Sequence, residues 1–389
     1  MTEHAAEKRV TWAELFFDLV FVVAVTRVSE LLGSDHGWGG LLRALVVFVP
    51  VYWLWVGTAI QTNLQDMTRP LMQLRVLAIA LAAVFMAIAV PEAYHDLGMV
   101  FAIAYWLGRI VIGSQLLYFA ARARTLPVNP YTVSMFGTGP MLVLGATLHG
   151  DARLAVWGAA ALIDLATPSL LRARLRGMHY DAGHLSERFG LFVLIALGES
   201  VVSVVTSTGP GDLDVAHGSA VAVAFVVSCG LWWVYFYFAA DAMRYALATA
   251  KVQLDITRLV LSYGHLSFIA AIILVSVGLH ESIAHPGEAL SWGYAGLLVG
   301  GVALYLASFG FTRWAMFRLV SWTRLIAAAA VLVLLSVATQ VPALAVLVAI
   351  AVILVTLNVV EYARVERIGW RALLARRPAP AGLAPTPER

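Results

Sequence analysis

Two carboxylates stand close together in an apolar part of the sequence, where they could hold or exchange a proton. Glu14 and Asp18 lie in the string ELFFDLVFV, and their four-residue spacing places both on one face of a helix. Glu14 falls in the first turn, where the helix dipole favours an acid, so a capping role explains it as well as a chemical one. Asp18 lies deeper, where a lone charge costs at least about 2.5 kcal/mol and must face protein or water. Asp18 is therefore a candidate for a substrate or proton path, and Glu14 is a candidate for a structural or gating ion pair.

A second run of charged residues in apolar surroundings is HLSERFGLFVLIALGES, which begins at His184. Its Glu187 and Arg188 would pair with Glu14 or with nearby arginines and so join two parts of the chain. Glu199 lies farther along the same stretch, near the middle of a predicted membrane span. An acid is rare there and is by default a functional candidate.

Four further charges are predicted inside apolar helices. Arg109 and Asp164 fall near the middle of their spans, and Arg27 and Glu30 fall in the outer half of the first one. One interpretation is a structural lattice of buried ion pairs, in which Arg109 pairs with Asp164. In that lattice Arg27 pairs with Glu30 or Glu199. The other interpretation is a polar cavity near the membrane midplane, where arginines bind an anionic or polar group and a carboxylate exchanges protons.

Histidines give weaker signals. His265 lies inside the ninth predicted helix, where a histidine is more often a packing residue than a ligand, although imidazole also suits a proton relay. His184 and Glu187 have the spacing of two metal ligands, but the other residues that a di-iron bundle needs are not found on facing helices. No glycine precedes a lysine, which excludes a P-loop, and neither HExxH nor GxSxG occurs. The sequence predicts no catalytic group, no metal and no cofactor.

The elements that must position these residues are transmembrane helices. The chain has 389 residues, of which 61% are hydrophobic and only 13% are charged, whereas about a quarter of the residues of a soluble domain are charged. A spanning helix needs about 20 mostly apolar residues. The lipid bilayer is therefore the expected partner, and the net charge of +3 gives no reason to expect nucleic acid. Twelve blocks qualify as spans, near residues 12–32, 41–62, 70–90, 98–121, 132–148, 153–170, 188–207, 216–240, 258–279, 290–309, 322–340 and 343–362.

Basic residues mark one side of these predicted spans. Arginine and lysine near helix ends resist transfer out of the cytoplasm, and the connections alternate between basic ones, such as those with Arg69 and Arg318, and acidic ones, such as the one with Glu92. The alternation predicts an even number of helices with both termini in the cytoplasm. Residues 371–389, which are rich in proline, alanine and charge, are predicted to form a disordered tail.

The predicted helices also divide into two related sets of six. The string YWLW in the second helix is echoed by WWVY in the eighth, and Arg69 and Glu92 around the third helix are echoed by Arg258 and Glu281 around the ninth. Six spans between equivalent helices give both sets the same direction in the membrane, as in transporters built from parallel repeats. The fold class that we predict is an all-α transmembrane bundle of about twelve helices in two parallel-related halves. The predicted units are residues 1–178, residues 179–370 and the tail.

The strings ELFFDLVFV, HLSERFGLFVLIALGES and SYGHLSF…VGLHESIAHP occur in this order and together resemble the bacterial low-temperature-requirement A (LtrA) family over roughly residues 10–365. The resemblance implies a multi-helix protein of the bacterial inner membrane and implies no substrate. The residues that match the family strings are Glu14, Asp18, His184, Glu187, Arg188, Glu199 and His265.

Buried charge in both predicted halves favours a secondary transporter or ion-coupled permease for an unknown small solute or ion. One alternative is a membrane-embedded metal or redox enzyme that uses His184, Glu187 and His265. Another is a non-catalytic protein of the envelope or of cold adaptation, in which the ion pairs are structural. The sequence also allows a homo-oligomer. The candidates for the substrate or proton path are Asp18, Glu199, Arg109, Asp164 and His265, and those for structural or gating ion pairs are Glu14, Glu187, Arg188, Arg27 and Glu30.

Overall fold

The structure, a computed structural model, describes residues 8–123, 128–206 and 214–368. These residues form thirteen helices and no β-strand. The predicted disordered tail, residues 371–389, lies outside them. The helices are α1 (Trp12–Ser34), α2 (Trp38–Leu64), α3 (Pro70–Ala89), α4 (Gly98–Ala123), α5 (consecutive segments Pro130–Val133, Ser134–Thr138 and Gly139–Ala146), α6 (Gly150–Leu170), α7 (Arg172–Leu175), α8 (Ala182–Thr206), α9 (Val215–Thr249), α10 (Gln253–Ala284), α11 (Trp292–Phe317), α12 (Trp322–Ser336) and α13 (Ala343–Ile368).

Each of the twelve predicted apolar blocks overlaps one of these helices over most of its length, and the thirteenth helix is the short α7. Among the described residues, six helices are long and apolar enough to cross a membrane, namely α2, α3, α9, α10, α11 and α13. The prediction of an all-helical protein with membrane-type helices is confirmed. The arrangement in two related halves and the sides on which the termini lie stay predictions.

Apolar side chains cover much of the outer surface. On α3, the exposed residues Leu74, Leu81, Phe85 and Ile88 follow each other at intervals of seven, four and three, so they share one outward face. Such a face suits lipid rather than water. Tryptophan is enriched at the boundary of a bilayer. Four helices begin with an exposed tryptophan, which fits this environment, namely Trp12, Trp38, Trp292 and Trp322.

Helices α1, α2, α8 and α10 form the centre of the bundle, where each contacts the other three. Buried aromatic rings fill the space between them. Phe17 and Phe21 of α1 have ring centroids 4.8 Å apart, and Trp55 of α2 stacks on Phe192 of α8 at 4.1 Å. The contact between Trp55 and Phe192 joins helices from both predicted halves.

Helices α5, α9 and α10 each contain a π-helical segment, a feature that widens a helix and often occurs at functional sites. The longest, Thr257–Gly264, lies in α10 beside α2. The Tyr52 hydroxyl of α2 donates a hydrogen bond to the Ser262 carbonyl oxygen at 2.8 Å. This bond ties the widened part of α10 to the central bundle.

Adjacent glycines on α11 allow a matched test of helix packing. A Cβ atom added at Gly301 would lie 2.9 Å from the Leu274 Cβ atom and from the Val275 amide nitrogen of α10, whereas one added at Gly300 meets nothing within 4 Å. Because the α10 backbone cannot move aside, we expect Gly301→Ala to destabilise the fold by about 1 to 3 kcal/mol. Thermal unfolding in detergent should show a lower midpoint for this variant and an unchanged one for Gly300→Ala. Equal midpoints would contradict the close contact of α10 and α11.

Candidate functional site

A buried charged cluster joins the beginning of α1 to α8. Glu14 and Asp18, with side chains 0% and 1% exposed, both bind the Arg188 guanidinium. Arg188 Nη1 donates to Glu14 Oε1 at 2.8 Å, and its Nε and Nη2 donate to the two Asp18 oxygens at 3.0 and 2.7 Å. We call this the α1–α8 cluster, and its members are Glu14, Asp18, Trp55, Thr62, Asn63, His184 and Arg188.

The start of α1 positions the two acids. The Thr11 side chain accepts a hydrogen bond from the Glu14 N–H, while Glu14 Oε2 accepts one from the Thr11 N–H at 2.9 Å, which together form a capping box. Asp18 follows one turn later on the same face. On the opposing helix, Arg188 lies one turn after His184, so four charged or titratable side chains meet across one interface.

Helix α2 adds neutral donors and acceptors to the cluster. Trp55 Nε1 donates to Asp18 Oδ1 at 2.8 Å, and Arg188 Nη1 donates to Thr62 Oγ1 at 3.1 Å. Asp18 therefore accepts three hydrogen bonds, which suits an ionised carboxylate because that group is an acceptor only. The Arg188 guanidinium also lies 5.8 Å from the ring centre of Phe17 and 5.9 Å from that of Trp55.

The hydrogen bonds of Asn63 fix the tautomer of His184. The Asp181 N–H donates to Asn63 Oδ1 at 3.1 Å, so Asn63 Nδ2 faces the other way, 3.1 Å from His184 Nδ1. Because an amide nitrogen is only a donor, this Nδ1 is an acceptor and carries no proton. The proton of the ring therefore lies on Nε2, which faces Glu14 Oε1 at 3.2 Å. In this arrangement His184 is neutral.

The charges of the α1–α8 cluster do not balance. Two carboxylates face one guanidinium and a neutral imidazole, which leaves one excess negative charge among buried side chains. Lys8 is a neighbouring cation that offsets part of this charge, and its ammonium group binds three carbonyl oxygens at the C-terminal end of α2. Partial burial lowers the pKa of Lys8, against the opposing effect of the Glu14 carboxylate. A buried excess charge favours the uptake of a proton or another cation.

Glu199 lies farther along the α1–α8 interface. Its side chain is 3% exposed and accepts a hydrogen bond from the Thr26 hydroxyl of α1. Between this contact and the α1–α8 cluster, the rings of Phe21 and Phe192 meet edge to face at 6.4 Å, so α1 and α8 run parallel. Helix α8 begins at Ala182 rather than near residue 188, so Glu199 lies past the middle of the helix, and its depth in the membrane stays a prediction.

A second buried cluster lies among α4, α5 and α6. Asp164 accepts hydrogen bonds from the Tyr105 hydroxyl, from Ser134 Oγ at 2.8 Å and from Thr138 Oγ1 at 2.9 Å. Arg109 Nη2 donates to the same Ser134 Oγ at 2.6 Å. The predicted pair of Arg109 and Asp164 is thus joined through a hydroxyl of the π-helical segment of α5, and its opposite charges balance.

The remaining candidates take separate places. Arg27 Nη1 lies 2.6 Å from Glu30 Oε2 on an exposed face of α1, and Glu187 is exposed on α8. His265 Nε2 lies 2.7 Å from the Tyr235 hydroxyl oxygen, and its Nδ1 lies 3.0 Å from a carbonyl oxygen of its own helix. Both ring nitrogens of His265 thus have hydrogen-bond partners, and its place on a proton path stays a prediction.

His184 and Glu187, the two residues with the spacing of metal ligands, diverge in the structure. His184 is buried against Glu14, whereas Glu187 is exposed. Within residues 8–123, 128–206 and 214–368, no group of three or more His, Cys, Asp or Glu side chains is arranged to hold a metal ion.

Sequence reasoning missed several members of these clusters. The polar pair Thr62-Asn63 at the end of an apolar block was the available signal for the α2 side of the α1–α8 cluster. An ion pair between α12 and α13 was also missed, in which Arg324 Nε and Nη2 bind the two Glu361 oxygens at 2.8 and 2.7 Å. Its residues lie near the helix ends, where sequence does not show which neighbouring helix supplies the partner.

Comparison with known proteins shows which family this sequence matches. A family model described as "Bacterial low temperature requirement A protein (LtrA)" matches residues 9–359. A protein of Rhizobium meliloti (strain 1021) that is described as uncharacterized is 28% identical over 323 residues, which cover 80% of this chain and 78% of that protein. No solved structure matches the chain.

Proposed function

We propose that this chain, which belongs to the bacterial low temperature requirement A family, is a proton-coupled secondary permease of the bacterial cell membrane. One observation carries the proposal, namely that the α1–α8 cluster buries two carboxylates against one guanidinium and a neutral imidazole. Such a cluster becomes neutral by taking up one cation, and a proton is the cation that a carboxylate accepts without further ligands. This chemistry suits a site that loads and releases a proton as the helices change their packing.

Asp18 is the acid to which we assign the exchanged proton. Glu14 is held as an anion by the N-terminus of α1 and by Thr11, whereas Asp18 lies one turn deeper and depends on Arg188 and Trp55. Protonation of Asp18 removes one of the two charges that Arg188 binds and weakens the contact between α1 and α8. A ligand that binds two packings differently shifts the balance between them, and here the ligand is the proton.

A twelve-span bundle of two parallel halves would give this exchange a mechanical effect. In that arrangement α1 and α8 are the first helices of the two halves, and they contact each other directly. The rings of Phe21 and Phe192 separate the α1–α8 cluster from Glu199. As the halves rock, the α1–α8 cluster would open to one side of the membrane and then Glu199 to the other. With both termini in the cytoplasm, the α1–α8 cluster would be the cytoplasmic one. A solute needed for growth in the cold would fit the description of the family.

Accumulation in energised membrane vesicles tests the proposal. Right-side-out vesicles that contain the protein receive an acid-outside pH gradient and a mixture of isotope-labelled amino acids, sugars and short carboxylates, and mass spectrometry measures what accumulates. We expect at least one solute to accumulate until a protonophore is added. We expect Asp18→Asn to reduce this accumulation to the level of vesicles without the protein, because asparagine cannot exchange the proton.

Asp35→Asn is the matched control. It makes the same chemical change just after α1, on a side chain that is 43% exposed and that pairs with Arg43 at the surface. We expect this variant to accumulate solute as the unaltered protein does. Unaltered accumulation in Asp18→Asn would contradict the proposal and favour a purely structural role for the buried ion pairs.

A further inference from the structure

A cavity of about 70 Å³ lies between α2, α4, α5 and α10, apart from the α1–α8 cluster. Trp53 and Gly57 of α2, Arg109 of α4 and Tyr131 of α5 contribute to its wall. Thr257, Arg258 and Ser262, all from the π-helical segment of α10, add further polar side chains to the wall. No aspartate or glutamate lines it, although two arginines do.

Three residues that line this cavity each carry a buried polar atom without a hydrogen-bond partner. The atoms are Arg109 Nε, Arg258 Nε and Thr257 Oγ1, which make up three of the seven such buried atoms among the described residues. Arg109 and Thr257 are each only 1% exposed, so water outside the protein does not satisfy them. A buried donor without a partner is costly and rare in native proteins, and a group of them around one cavity indicates a missing acceptor.

The charge around the cavity is positive. Arg258 Nη2 reaches Asp255 Oδ1 only at 3.5 Å, because Asp255 already binds Arg172 through two hydrogen bonds of 2.6 Å. These three side chains carry one excess positive charge. Arg109 is balanced by Asp164 through Ser134, so it adds donors without adding net charge. The missing acceptor is therefore expected to carry a single negative charge.

The walls limit the size and shape of that anion. The Cβ atom of an alanine at position 57 would lie 2.6 Å from Arg109 Nη1, so the glycine leaves room beside the guanidinium. Tyr131 flanks the same guanidinium, with its ring centre 5.7 Å from Arg109 Cζ. Apart from its few polar atoms, the wall is aromatic and aliphatic, which suits a ligand with a small apolar body.

We infer that this cavity binds a small monocarboxylate, with its carboxylate between Arg109, Arg258 and Thr257 and its short apolar part against Trp53 and Tyr131. Guanidinium groups bind the two oxygens of a carboxylate with matching planar geometry. Binding itself does not depend on transport. That the bound carboxylate is the cargo rests on the proposed function.

Thermal unfolding of the detergent-purified protein in sodium propionate, sodium gluconate or sodium nitrate at equal ionic strength tests the inference. A ligand that binds only the folded state raises the unfolding midpoint in a saturable way. We expect propionate to raise the midpoint in this way. Gluconate has the same charge but is too large for the cavity, so it should not. Arg258→Gln should raise the dissociation constant for propionate by about ten- to a hundredfold, and Gly57→Ala should weaken binding by filling the space.

Two further variants keep the test decisive. Thr257→Val preserves the shape of the side chain and removes only the hydroxyl, so it is expected to fold and to bind propionate more weakly. Arg69→Gln removes an exposed arginine on the surface and is expected to bind as the unaltered protein does. Equal responses to propionate and gluconate, a response to nitrate alone, or unaltered binding in Arg258→Gln and Thr257→Val would each overturn the inference. The measurement uses no proton gradient, so its failure counts against the cavity, whereas unaltered accumulation by Asp18→Asn counts against the proposed function.

Discussion

Arg188→Met is expected to destabilise the protein more than replacement of any surface arginine, by about 3 to 5 kcal/mol. The change leaves the carboxylates of Glu14 and Asp18 without their shared cation at a site where both side chains are at most 1% exposed. Methionine fills a similar volume, so the loss reflects stranded charge rather than an empty space. Fluorescence-detected size-exclusion chromatography after heating in detergent measures the effect as a lower unfolding midpoint.

Arg172→Met is the matched control for this prediction. Arg172 binds Asp255 through two hydrogen bonds of 2.6 Å, a geometry as good as that of Arg188, but its side chain is 43% exposed. An ion pair at such a site contributes only about 0 to 1 kcal/mol, because water screens it.

Neutral replacements of the two acids that Arg188 binds should restore the stability that Arg188→Met loses. In Arg188→Met combined with Glu14→Gln and Asp18→Asn, no buried charge is left without a partner, so the unfolding midpoint should recover most of the loss. Transport should not recover, because the proton-exchanging acid is gone. If the unfolding midpoint of Arg188→Met is no lower than that of Arg172→Met, the α1–α8 cluster does not carry the proposed buried charge.

The helices of this protein could be predicted from hydropathy alone, since each predicted block overlaps one helix, but some of their starts could not. Helix α8 begins at Ala182, six residues before the predicted start. The prediction starts too late because the first turns of the helix contain the polar residues His184 and Arg188. These residues lower the hydropathy of the segment although both are fully buried. Their partners on α1 and α2 remove the cost of burying them, and a window along one helix does not contain those partners.

The α1–α8 cluster could be predicted in part. The pairing of Arg188 with Glu14 was one of the alternatives that the sequence offered, because both residues start an apolar helix on the same predicted side. That Asp18 shares the same guanidinium, and that Trp55 and Asn63 complete the site, depends on how three helices cross. Crossing angles arise from packing, so no spacing within one helix encodes them.

The second cluster shows the same limit. Opposite charges at similar depth suggested that Arg109 and Asp164 pair, and the structure does bring them to one place. It joins them through Ser134, however, because the π-helical segment of α5 turns that hydroxyl between them. Helical periodicity calculated at 3.6 residues per turn cannot anticipate a widened segment.

Protonation of Asp18, the acid to which we assign the exchanged proton, should be visible in the infrared spectrum. Infrared difference spectra of the purified protein, recorded as the buffer is acidified, show the carbonyl band that a carboxylic acid gains on protonation. A carboxylic acid held in one buried environment gives a narrow band, whereas acids in water give a broad one. We expect the unaltered protein and the Asp35→Asn control to gain one narrow band.

The same measurement on Asp18→Asn tests proton uptake at Asp18 directly. If the α1–α8 cluster takes up its proton at Asp18, the narrow band is absent from this variant and the rest of the difference spectrum is retained. Identical bands in Asp18→Asn and in the unaltered protein would show that Asp18 exchanges no proton, and would contradict the proposed coupling at this cluster.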